Sequence, residues 1–375
     1  MAGLYVHIPF CIKRCLYCDF FSNTDMSYKE AFLEALVREI ALRRDYLEGE
    51  ALETIYFGGG TPSQLSPADY VRIFDTIAAH FDLSALKEVT LEGNPDDMRP
   101  DYVKSLSALP FDRISLGVQS FDPDDLLFLN RRHTREQAVR AVDCCRENGF
   151  TNINIDLIYG LPGQTTEKWE ANLQEFLRLD IPHLSAYHLI YEEGTPLYNL
   201  WKKGKVEAVG EEQSLQLFAL LIDRLKEAGY MHYEISNFAR PDCISQHNTA
   251  YWKDKKYMGI GPSAHSYNGV SRSWNVASMS QYLKGIEAGK PVVELENLTL
   301  RERYNDYIIT RMRTVWGVSY NEIDSRFGEI YRKYCQQQAV SYIEQGLVAE
   351  NDGNLSLTAG GIFVSDAIMR DLIYV

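Results

Sequence analysis

At 375 residues the chain is too long for one small core, so two to three domains, or an α/β barrel that takes most of the length, is the expectation. A formal charge of -14 and the lack of any basic face disfavour a nucleic-acid partner. Seven cysteines do not read as a disulfide framework, the start MAGLYVHIPF lacks the basic region of a signal peptide, and no apolar run nears the ~20 residues of a bilayer span. A cytoplasmic location is expected, with any membrane contact peripheral and at the inner face.

From the start, extended β-branched or aromatic runs alternate with amphipathic helical stretches, the pattern of a parallel sheet built from βα units. The predicted strands are 3–9, 53–59, 87–93, 113–119, 152–160 and 183–190. Helices are predicted near 28–47, 67–80, 100–109, 135–148 and 165–179, with Ser66 and Thr134 as start signals and Gly149 as a stop. Six units in place of eight predict an incomplete (β/α)6 TIM-like barrel, open on one side, whose chemistry gathers at the C-terminal strand ends. The sequence follows that rule. Cys11, Cys15 and Cys18 follow the first strand, GGGTP at 58–62 follows the second, and Glu92, Gln119 and Asp156 fall at or near the ends of the next three.

After Tyr191 the alternation stops. A helix near 210–228, a strand at MHYEISNFA (231–239) and an aromatic segment at 246–269, in which two Gly-containing clusters read as loops packed against the barrel, make an α+β extension over about 196–297. From about Leu298 the order is helix, turn, helix and a short hairpin with Asp352-Gly353 at its tip, a winged-helix-like layout for 298–375. Eight basic against ten acidic residues over 300–375 make that domain a packing or partner module and not a DNA reader.

The run HIPFCIKRCLYCDFF at His7–Phe21 spaces three cysteines as CxxxCxxC. A zinc site normally has four protein ligands, and a 4Fe-4S cluster has four irons to ligate. Three cysteines therefore leave one iron open, and the amino and carboxylate groups of S-adenosylmethionine (SAM) can chelate it, so that a reduced cluster can release a 5'-deoxyadenosyl radical. The alternative from the residues alone is a zinc site completed by Cys243 or His247. Backbone groups of Gly59 and Gly60, with Thr61, suit the close approach of the methionine end of SAM, because glycine has no Cβ. Glu92 suits its ammonium, Arg131 its carboxylate, and Asp156 with Gln119 the ribose hydroxyls. Each is equally readable as an ordinary polar residue of a barrel interior.

The cysteine spacing, with Tyr17 directly before the third cysteine, resembles the cluster motif of the radical SAM superfamily. From Gly3 to about Tyr191, the blocks YVHIPFC, FGGGTP, GVQSFD and NIDLIYGLPGQT resemble those of the oxygen-independent coproporphyrinogen III oxidase group. That resemblance implies SAM contacts from Tyr5, Tyr17, Gly59, Gly60, Thr61, Glu92, Gln119, Arg131 and Asp156. Two departures from the oxidases stand out: Phe20 occupies the place of their fourth cysteine, and with the first strand read from Gly3 their N-terminal arm is not expected. HNTAYW at 247–252 is similar to the HNxxYW signature of the related haem chaperone family.

On its own residues the HNTAYW segment reads more readily as a loop anchor, with His247 and Asn248 hydrogen-bonded and the aromatics in the core. The resemblance implies instead that His247 ligates haem, with His265 and Cys243 as further candidates. It implies a chaperone that carries a SAM-bound 4Fe-4S cluster, takes haem as cargo and delivers it to haem-requiring respiratory proteins. An electron donor would be needed if SAM is cleaved. The alternative activity is oxidative decarboxylation of coproporphyrinogen III to protoporphyrinogen IX.

Overall fold

The computed structural model describes residues 2–375. Its first half is six βα units: β1 (Ala2–Ile8), α1 (Lys29–Leu42), β2 (Leu52–Gly59), α2 (Pro67–His80), β3 (Glu88–Gly93), α3 (Pro100–Leu106), β4 (Arg113–Gln119), α4 (Pro123–Phe128), α5 (Arg135–Glu147), β5 (Asn152–Tyr159), α6 (Thr166–Arg178) and β6 (His183–His188). All five neighbouring pairs from β1 to β6 are parallel. Capping boxes start α2 at Ser66 with Asp69 and α5 at Thr134 with Gln137. Each pairs two backbone N–H groups that a helix start leaves open. The strands are buried along nearly their whole length, which is why they read as continuous apolar runs.

The sheet does not stop at six strands. The chain continues through α7 (Pro196–Lys202) and α8 (Glu211–Glu227) to β7 (Met231–Glu234), β8 (Asn237–Ala239), α9 (Gln246–Trp252), β9 (Tyr257–Ile260), β10 (His265–Tyr267), β11 (Ser271–Asn275), α10 (Met279–Glu287) and β12 (Val293–Asn297). These strands extend both edges, giving the open order β12-β11-β10-β9-β1-β2-β3-β4-β5-β6-β8-β7. Two local expectations are corrected here. The single strand read at 231–239 is a hairpin, where Glu234 Oε1 accepts from the Ser236 backbone N–H and from the Asn237 side-chain amide across the turn. The loop anchor read at His247 and Asn248 lies on a helix, capped where the Ser245 hydroxyl accepts from the Asn248 N–H.

The extension shares the barrel's apolar core, to which Leu217, Met258, Tyr282 and Ile286 contribute alongside Leu4, Phe57 and Trp169. A second core belongs to the C-terminal region: α11 (Leu300–Met312), β13 (Val318–Ser319), α12 (Tyr320–Phe327), α13 (Glu329–Glu344), β14 (Val348–Asn351), β15 (Asn354–Leu357) and α14 (Ser365–Leu372). Its three strands run in the order β13-β15-β14, with Asp352 and Gly353 both at positive φ in the hairpin tip. No helix among the described residues is long and apolar enough to cross a membrane.

Candidate functional site

The cysteine loop leaves the end of β1 and is tied down at several points. Asn23 holds its root, donating to the Pro9 carbonyl at 2.6 Å and accepting from the Cys11 N–H at 3.0 Å. Asn130 donates to the Arg14 carbonyl at 2.8 Å, and Leu16 exchanges backbone bonds with Leu129 and Leu197. The loop is thereby fixed over the mouth of the barrel.

Below it lies a cavity of about 420 Å³ that Cys11, Cys15, Cys18, Tyr17, Gly59, Gly60, Thr61, Glu92, Gln119, Arg131 and Asp156 all line. Strand geometry explains the convergence, since parallel strands deliver their C-terminal ends to one rim. Among the described residues no three His, Cys, Asp or Glu side chains gather as they would around one metal ion.

The glycine segment provides the close approach. Gly59 sits at φ +107, and a Cβ there would meet the His7 ring at 2.6 Å. A Cβ on Gly60 would meet the Pro9 and Phe10 backbone at 2.8 and 2.9 Å, directly before Cys11. Thr61 Oγ1 lies 3.3 Å from the Cys11 sulfur. Burial raises the Cys11 thiol and pushes Cys18 up to about 11; a coordinated metal reverses that by stabilising the thiolate.

Arg131 reaches in from the loop after α4. Its Nη1 donates to the Cys15 sulfur at 3.2 Å and its Nη2 to Asn94 Oδ1 at 2.6 Å, while its buried Nε has no partner. An orphaned guanidinium donor at the wall of the cavity fits an incoming carboxylate. Gly117 makes room for it: a Cβ there would meet Gln119 Nε2 at 2.9 Å and Arg131 Nη2 at 3.3 Å. Gln119 takes φ +68 at an irregularity in the β4–β5 register, the kind of backbone strain that collects at binding sites.

Glu92 Oε1 accepts from the Tyr56 hydroxyl at 2.6 Å, and Asp156 Oδ1 from Asn154 at 2.7 Å. Burial is the main cause that pushes Glu92 up to about 7 and Asp156 up to about 6, and Asp156 adds to the shift of Glu92. The pocket floor thus holds carboxylates that gain from an arriving cation. Sequence reading did not find Asn94, Tyr56 and Asn154, which orient the principal groups; their only signal is two-residue spacing along a strand or the turn after it.

Tyr5 and His247 lie elsewhere. Tyr5 lines a second cavity and its hydroxyl is 3.1 Å from His7 Nδ1. His247 is buried under the sheet, stacked on Tyr56 at 5.0 Å. Both its ring nitrogens are engaged, Nδ1 with Thr54 Oγ1 at 2.7 Å and Nε2 with the Tyr251 hydroxyl at 2.8 Å. Burial holds its imidazole down at about 3.

Comparison with known proteins follows the same division of the chain. Residues 5–176 match the model of the radical SAM superfamily, and residues 298–364 that of the HemN C-terminal domain. The haem chaperone HemW of Lactococcus lactis is 35% identical over 98% of this chain and 96% of its own. That of Bacillus subtilis is 33% identical over 98% of both. The structure of coproporphyrinogen III oxidase (HemN) from Escherichia coli superposes with a TM-score of 0.85 at 25% identity, covering 99% of this chain and 90% of that one.

Proposed function

Since the chain belongs to the radical SAM superfamily and, within it, to the haem chaperone HemW family, we propose that it is a haem chaperone with a SAM-bound 4Fe-4S cluster. It binds haem and delivers it to haem-requiring respiratory proteins, working in the cytoplasm with peripheral contact at the inner face of the membrane. The observation that carries this reading is similarity to haem chaperones over almost the whole of both chains.

The cavity at the barrel mouth fits the resident group. Cys11, Cys15 and Cys18 would hold the cluster. The Arg131 guanidinium would hold the SAM carboxylate, ionised Glu92 its ammonium, and Gln119 with Asp156 the ribose. Gly59, Gly60 and Thr61 would present backbone and hydroxyl groups where no side chain intrudes. The cluster and SAM together supply one-electron chemistry, which needs an external electron donor if SAM is consumed.

The second reading is the decarboxylating oxidase, favoured by the fold shared with the Escherichia coli enzyme. Against it stands Phe20, 63% exposed where the oxidase pattern has a cysteine. Anaerobically purified protein, assayed side by side for haem binding and for porphyrinogen turnover, separates the two. Haem binding without turnover supports the chaperone; turnover without haem binding rejects it.

A further inference from the structure

Beside the cluster cavity is a larger one of about 590 Å³, within the ~300–1,000 Å³ of small-molecule sites. It is lined by residues of strands β10 and β11 and of α11 of the C-terminal region, and Asp19 and Phe20 of the cysteine loop wall both cavities. Four tyrosines, Tyr5, Tyr251, Tyr257 and Tyr267, give it flat apolar faces with polar tips. His265 lines it, exposed and stacked on Trp274 at 5.8 Å. Among the described residues neither of its ring nitrogens has a hydrogen-bond partner, whereas both of those of His247 do. Arg272, on the same rim, pairs with Asp306 and keeps a side chain 41% exposed.

We propose that this cavity seats the haem and that His265 is its axial ligand, with His247 acting behind the wall as a positioning residue. A free, neutral imidazole facing an aromatic slot is what a haem iron takes as a ligand, and burial with the nearby Arg272 charge favours that neutral form. His247 instead fixes the hydroxyl of Tyr251, one of the wall residues, so the HNTAYW segment contributes through Tyr251 and not through the iron. Arg272 supplies a guanidinium for a haem propionate. The arrangement sets the cargo against the loop that carries the cluster. This inference rests on the haem-chaperone reading.

The test is titration of ferric haem into cluster-reconstituted protein, followed by absorbance and low-temperature electron paramagnetic resonance. His265→Ala is expected to lose the imidazole-ligated spectrum, and added free imidazole to restore it. His265→Cys is expected to replace it with a thiolate-type signature. His247→Ala and Tyr251→Phe are expected to weaken binding while keeping the imidazole signature. Retention of the wild-type spectrum in His265→Ala and His265→Cys overturns the assignment, as does its loss in His247→Ala alone. Absence of any haem binding by the wild type overturns the chaperone reading, and this site with it.

Discussion

Arg131 donates to the sulfur of Cys15 at 3.2 Å, so the side chain proposed for the SAM carboxylate also touches a proposed cluster ligand. Arg131→Ala removes both contacts. SAM affinity should fall about tenfold to a hundredfold, as for the loss of a hydrogen bond to a charged group worth roughly 1.5–3 kcal/mol. Hydrogen bonds to cluster sulfurs raise reduction potentials, so the midpoint should also move negative while iron and sulfide content persist. Equilibrium SAM binding and a redox titration measure the two effects. Unchanged values in both would remove Arg131 from the site.

On the proposed assignment, cluster retention depends on the loop cysteines. Cys15→Ser should reconstitute with little iron and lose the visible absorbance, while Cys243→Ser should keep both. Cys243 sits beyond β8 after Arg240 and lines neither cavity described above. Iron and sulfide analysis after anaerobic reconstitution gives the answer, and the opposite outcome would move the metal site.

The pH dependence of SAM binding follows from Glu92. Its carboxyl is raised from the ordinary 4.5 to about 7 in the fold, so between those values the folded state holds more protons than the unfolded one. Stability without SAM should therefore fall as pH rises across that window. Binding of an ammonium needs the ionised form, so SAM affinity should drop toward tenfold per unit as pH falls below about 7. Glu92→Gln should bind more weakly with a flatter profile. A wild-type affinity constant from pH 5 to 8 would contradict this role.

Close packing makes Gly60 a separate test of geometry. Added Cβ atoms would press on the Pro9 and Phe10 backbone at 2.8–2.9 Å, and backbone so close to Cys11 cannot yield without moving the cluster loop. Gly60→Ala should lose SAM binding or cluster yield with little change in far-ultraviolet circular dichroism. Normal SAM affinity in that variant would show that the loop tolerates the displacement.

The six parallel strands were legible because burial on both faces writes continuous apolar runs, and α2 and α5 because Ser66 and Thr134 carry their capping residues in the sequence. The short strands β9 to β12 were not, since they exist by pairing: β9 adds to β1 across more than two hundred residues. The helix at Gln246–Trp252 was masked by aromatic content, although Ser245 was its available start signal. Residues of the cluster cavity share a strand-end position, which a sequence displays. The second cavity joins Tyr5, Tyr251 with His265, and Asp306 from three distant segments, and only folding brings them together.

That second cavity also decides between chaperone and oxidase. Coproporphyrinogen III carries four propionates and haem two. The rim offers one guanidinium, Arg272, against the carboxylates Asp19, Asp254 and Asp306. Asp306 already pairs with Arg272 and Asp254 with Arg326, so the rim offers a single guanidinium, enough to meet one propionate of haem and too little for a substrate with four negative groups. Like-charge contacts cost binding and on-rate, and misplacement by about 1 Å can lower a rate on the order of a hundredfold. The wild type with SAM and a reductant should thus form no appreciable protoporphyrinogen, while haem titrates into it. Replacing Asp19 and Asp254 by Asn should tighten haem binding at low salt, with the gain lost as ionic strength rises. Robust decarboxylation, or haem affinity indifferent to both substitutions and salt, would favour the oxidase and a different seat for the porphyrin.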